Sequence, residues 1–220
     1  MRIRGRIGPS ERSQARIARA MELSLIGLLF IGLDRGNTGI VVNALVALGV
    51  AQLPPILERD YGIPMDPALT LWITAAAFLH ALGTVGIPGT QASFYRNLWW
   101  WDHLTHALSS SVVAAAGYAT VRALDEHYEG IDLPPKFVFV FVLLFVVAFG
   151  VLWEVLEFVI GMVGELTGGS VLTQYGLGDT MLDLVFDVIG GILVATWGTA
   201  YLSDVVGALT DRMDGESEPS

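Results

Sequence analysis

Asp179, Asp183 and Asp187 stand four residues apart in "GDTMLDLVFDVIGG", residues 178–191, inside one of the most apolar parts of the chain. That spacing stacks them on nearly one face of a helix, with Asp187 about 12 Å deeper than Asp179 at 1.5 Å per residue. Two other stretches carry similar groups. "WWWDHLTHALSSS" sets Asp102 and His106 one turn apart, with His103 beside them and Ser110 a turn further on. "GVLWEVLEFVIG" sets Glu154 and Glu157 three apart, which again shares a face.

Carboxylates mixed with imidazole suit a divalent cation such as Mg²⁺, Mn²⁺ or Zn²⁺. An ion held there would polarise a phosphoryl or carbonyl oxygen, while a neighbouring carboxylate or His106 handles the proton. The expected ligand set is Asp102, His106, Glu154, Glu157, Asp179, Asp183 and Asp187. Each has a plainer reading. Asp179 in "GDTM" fits a helix N-cap, Asp102 and His106 fit an interfacial pair, and the two glutamates fit a proton-sharing pair that joins helices. The plainer reading fails for Asp183 and Asp187, which lie inside the helix, where an acid is functional by default. His103 and His80 fit a tryptophan-rich interfacial belt, and His127 fits a solvated loop. No GxSxG, HExxH or P-loop pattern occurs, so the reaction class stays open. Gly161, Gly164, Gly168, Gly169, Gly190 and Gly191 read as helix-packing and turn residues rather than a phosphate cradle.

The elements that must position these groups are apolar. The 220 residues are 53% hydrophobic and 15% charged, with a mean hydropathy of +0.59. A membrane span needs about 20 mainly apolar residues. Thr38–Leu57, Ala68–Ile87, Asp102–Ala123, Lys136–Gly161 and Thr180–Ser203 meet or approach that, and Ile17–Leu33 is a shorter sixth that carries Arg19 and Glu22. The expected fold is an all-α polytopic transmembrane bundle of about six spans. Residues 1–16 form a basic tail, 17–204 the membrane domain and 205–220 an acidic tail.

With six spans, ten of the twelve cations fall on one side, and only Arg35 and Arg96 on the other. The positive-inside bias places both termini in the cytoplasm, and the acids and histidines at the outer ends of their spans. Losing the first span would invert that assignment. The tryptophans of "SFYRNLWWWD" fit an outer interfacial belt. A multi-pass protein of the plasma membrane follows. The net charge of −10 with one lysine, Lys136, points to a halophilic habitat. The absence of cysteine excludes disulfides and thiolate metal sites. Nucleic acid is not an expected partner of so acidic and apolar a chain. Membrane lipids, a lipid or small-molecule substrate and a second copy of the chain are.

"LPPILERDYGIPMDPAL", "WWWDHLTHALSS", "WEVLEF" and "GDTMLDLVFDVIGG", in this order, resemble the YjdF-like family of bacterial and archaeal membrane proteins over about Leu53 to Gly191. The chain more loosely resembles VanZ-like proteins, which also pair an Asp…His helix start with later acids. The resemblance implies a polytopic helical protein and marks the same seven polar residues. It implies no substrate. Relatives often carry an acid near the end of the third span, where this chain reads "HALGTVGIPG", with His80 as the candidate replacement.

Three functions compete on this reading. One is metal-assisted chemistry on an envelope lipid or lipid-linked glycan at the outer leaflet. The second is proton- or cation-coupled transport, which needs polar groups reaching the other half of the bilayer. The third is an accessory membrane subunit whose acids meet a partner's cations.

Overall fold

The structure, a computed structural model, describes residues 9–87, 92–167 and 176–217, with side chains described through 164 and 215 in the last two segments. Arg2, Arg4 and Arg6 of the basic tail, Gly168, Gly169 and residues 88–91 and 218–220 lie outside the described residues. Among the described residues, eight helices follow in order: α1 (Glu11–Asp34), α2 (Thr38–Ala51), α3 (Leu53–Tyr61), α4 (Pro67–Gly83), α5 (Phe94–Asn97), α6 (Trp99–His127), α7 (Pro135–Thr167) and α8 (Leu177–Ser217). Thr38–Tyr61, Trp99–His127, Pro135–Gly164 and Leu177–Gly215 are long and apolar enough to cross a membrane. At 17 residues, α4 is a shorter apolar helix.

Local chemistry explains the boundaries. The stretch Thr38–Leu57 is divided at Gln52, because Pro54 and Pro55 lack the N–H groups that would continue α2 and instead suit the first turn of a new helix. Gly62 ends α3 in the left-handed region (φ 67°), its N–H donating back to the Glu58 carbonyl. Asp66 then caps α4, its Oδ1 accepting from the backbone N–H groups of Ala68 and Leu69 at 3.0 and 2.9 Å. Helices α6, α7 and α8 outrun their apolar stretches at both ends, since hydropathy sees only the membrane core while backbone bonding continues into polar sequence.

The region 205–220, expected as a tail, is helical through Ser217. Val205 and Val206 are buried there, and Leu209 and Met213 pack on the same core. Further along, Asp214 meets His127 Nδ1 at 2.5 Å. The Arg212 guanidinium lies 5.1 Å over the Tyr61 ring. His127 therefore has a partner on α8, where a solvated loop residue was expected. Likewise, residues 11–16 are helical, as the start of α1, which Ser10 caps.

The helices pack as two groups of three. One is α1, α2 and α4, around Leu25, Ala44, Ala47 and Ala81. The other is α6, α7 and α8, around Ala114, Tyr118, Val142, Val146 and Val194. Contact between α4 and α6 joins them. The longest seam, α6 on α8, is close because Gly190 has no side chain: a Cβ there would meet Ser110 Oγ and the Ala107 carbonyl. Gly198 does the same against the Tyr118 ring.

Many large apolar side chains lie on the surface, while a set of polar side chains is buried inside. Leu23, Phe30, Leu144 and Leu193 are exposed, whereas His103, His106, Glu154, Asp183 and Asp187 are buried. Water would not tolerate that arrangement, and lipid requires it.

Because the chain has no cysteine, introduced ones report sidedness without background. The cation distribution predicts that Asn97→Cys is labelled by a membrane-impermeant maleimide on intact cells. Glu129→Cys should label only after lysis; the reverse pattern would invert the orientation.

Candidate metal centre

Four helix ends meet at one end of the bundle. The first turns of α6 and α8 supply Asp102, His103, His106, Asp179, Thr180, Asp183 and Asp187, and the later turns of α4 and α7 supply His80, Trp153, Glu154 and Glu157. Because α6 and α8 are neighbours along a glycine seam, their matching spacings interlock. His103 Nδ1 lies 3.0 Å from Asp183 Oδ1, and His106 Nδ1 lies 3.2 Å from Asp187 Oδ1. All four residues are buried.

With Asp187 ionised and His106 neutral, the Nδ1–H donates to Asp187 and Nε2 keeps its lone pair for a ligand. That nitrogen faces Asp102 Oδ1 at 3.7 Å and Glu154 Oε1 at 4.0 Å. Both separations exceed a hydrogen bond. Two ligands held ~2.1 Å from one ion are roughly 3.4 Å apart at tetrahedral angles and up to ~4.2 Å apart across it. One oxygen each of Asp102 and Asp183 and one nitrogen of His106 lie within 4.8 Å of one another. Helices α6 and α8 thus bring His106, Asp102 and Asp183 around one small volume, and α7 adds Glu154 4.0 Å from His106 Nε2.

Three of these groups, Asp183, Glu154 and His106, are held from behind. Phe186 stacks on the His103 ring (4.8 Å between centroids, 6° between planes), steadying the group that donates to Asp183. Thr180 Oγ donates to Glu154 Oε2 at 2.7 Å. Asp187 holds His106, and its own carboxylate lies over Gly150, where a Cβ would meet Oδ2. Ligand residues oriented by further hydrogen bonds are the usual construction of a metal site.

Of the seven residues expected as ligands, Asp102, His106, Glu154 and Asp183 have atoms turned to this volume, and Asp187 stands behind His106 as its orienter. Glu157 instead accepts from Trp153 Nε1 at 3.1 Å. Asp179 falls in the first turn of α8, two residues inside the helix start, so it is a dipole-favoured acid rather than the N-cap. His80, on α4, accepts or donates through Nδ1 to Tyr95 Oη at 2.9 Å and sets its ring edge-on to Trp153. Four contributors were missed in sequence: the orienting role of His103, and Thr180, Gly150 and Trp153. His103 could have been found, since 103, 106 and 110 share a face with 3,4 spacing. Thr180 and Gly150 carry no signal of their own.

Residues 17–204 match the family described as "Predicted membrane protein (DUF2238)". The chain belongs to that family. Together with the polar interior and apolar exterior, this makes it a membrane protein. A Thermotoga maritima protein described as uncharacterized is 32% identical over 137 residues, which is 62% of this chain and 65% of that protein. The aligned region thus spans a little under two thirds of that relative's length. No solved structure matches.

The seam that sets the His–Asp register gives a direct check. Gly190→Ala would press a methyl on the Ala107 carbonyl and should destabilise the protein by about 1–3 kcal/mol, seen as a lower Tm in detergent. Gly161→Ala, with nothing within 4 Å of its Cβ, should leave Tm unchanged or raise it slightly.

Proposed function

We propose that the protein binds one divalent cation through His106 Nε2, Asp102, Glu154 and Asp183, and uses it on an envelope lipid or lipid-linked substrate. The single observation that carries this is His106: its Nδ1 is engaged by Asp187 while its Nε2 faces carboxylates at 3.7 and 4.0 Å, too far to bond directly and spaced for a shared ion. The ion would supply Lewis-acid polarisation of a phosphoryl or carbonyl oxygen. Glu157 and Asp179, at the edge of the set, are placed to accept or return a proton. The likeness to YjdF-like proteins supports the same reading, because the motifs that carry it are the ones that supply this set.

The polar layer belongs to one end of the bundle. Among the described residues, the core beyond Ser111 is formed by Ala114, Val142, Val146 and Val194, with the Tyr118–Thr199 hydrogen bond as its polar interruption. A site served from one side favours chemistry over passage across the membrane. In a plasma membrane oriented by its arginines, that side is external.

The test is metal content of detergent-purified protein by mass spectrometry after equilibration with Mg²⁺, Mn²⁺ or Zn²⁺ and desalting. Wild type should carry near-stoichiometric metal, and an Asp183→Asn, Glu154→Gln double variant should not. Asp187→Asn, which touches only the orientation of His106, should weaken metal affinity about 10–100-fold. Folded wild type that holds no metal under any of these ions would overturn the proposal.

A further inference from the structure

A cavity of about 320 Å³ lies between the two three-helix groups, directly against His106 and Asp187. Its lining is graded in the same way on four helices. Along α2 it passes from Asn43 to Val50, along α4 from His80 to Ile73, along α6 from His106 to Val113, and along α7 from Trp153 to Val146. Each pair is seven residues apart, two helical turns or about 10 Å. The chamber therefore has a polar mouth in the plane of the carboxylate layer and an aliphatic floor deeper in the bundle.

Helices α2 and α7 both line the cavity but do not pack on each other. The residues at that gap, Val46 and Phe149, are 57% and 46% exposed on the apolar outer surface. A hydrocarbon chain could pass from the bilayer between them without crossing water.

We propose that this cavity holds one acyl chain of a membrane lipid, which reaches it laterally between α2 and α7 and presents its head group to the His106 layer. Polar and apolar linings at opposite ends match an amphiphile rather than a wholly polar solute. The volume is at the small end of known ligand sites, enough for one chain segment. The assignment of the head group rests on the metal reading above; the assignment of the chain does not.

The probe is phosphatidylglycerol with a diazirine on one acyl chain, mixed into phosphatidylcholine vesicles carrying the wild-type protein. After irradiation, adducts should concentrate on residues 43–50, 73–80, 105–113 and 146–153. Ala77→Trp, which fills the chamber, should cut that labelling at least about tenfold while metal content is retained. The Asp183→Asn, Glu154→Gln variant should do the opposite, losing metal and keeping the label, so the two proposals fail separately. Adducts spread equally over these residues and the lipid-facing Val140 and Leu144 of wild type would overturn the chain assignment, even if Ala77→Trp does not fold.

Discussion

Carboxylates carried into an apolar bundle need a donor or a counter-charge within reach, and this one condition organises the polar end of the protein. A charge left unanswered in a membrane interior costs several kcal/mol, and acids from separate helices at one level also repel one another. Among the described residues, no ion pair joins a lysine or arginine to this layer. Two histidines of α6 answer two aspartates of α8, and the register between those helices is the one that glycines 190 and 198 permit. What the histidines leave over, Asp102, Glu154 and the far side of His106, is the part that the proposed cation would complete.

The same packing separates the bundle into two halves and leaves space between them. Small residues bring α6, α7 and α8 together over most of their length, while α4 alone bridges to α1 and α2. The chamber beside His106 is a product of that uneven packing. Its lining runs from His106 and Asp187 to aliphatic residues, and α2 and α7, which both line it, do not pack on each other. The opposite end is tied by surface contacts of another kind, His127 to Asp214 and Arg212 to Tyr61.

The fold class and the level at which acids gather were readable from period and composition. Spacing of four along α8 and three or four along α6 needs no tertiary knowledge to be placed on a face. The pairing was not readable. Whether His103 or His106 would serve as ligand depends on which aspartate each meets, and that depends on an α6–α8 register set by Gly190 and Gly198, whose role appears only once a neighbour lies where their Cβ would be. Thr180 was hidden for the same reason, because its partner Glu154 is 26 residues away on another helix. Hydropathy located the apolar stretches, and the helices run past them. The acidic end of α8 stays helical because its apolar face, Val205, Val206 and Leu209, still has a core to cover.

The most direct measurement is an anomalous difference map from crystals of the protein grown with Mn²⁺ or Zn²⁺. The account predicts one strong peak ~2.0–2.2 Å from His106 Nε2, with oxygens of Asp102, Glu154 and Asp183 around it. A map of the same quality with Nε2 bonded directly to a carboxylate and no peak in that volume, or with its peak at His127 and Asp214 instead, would contradict it.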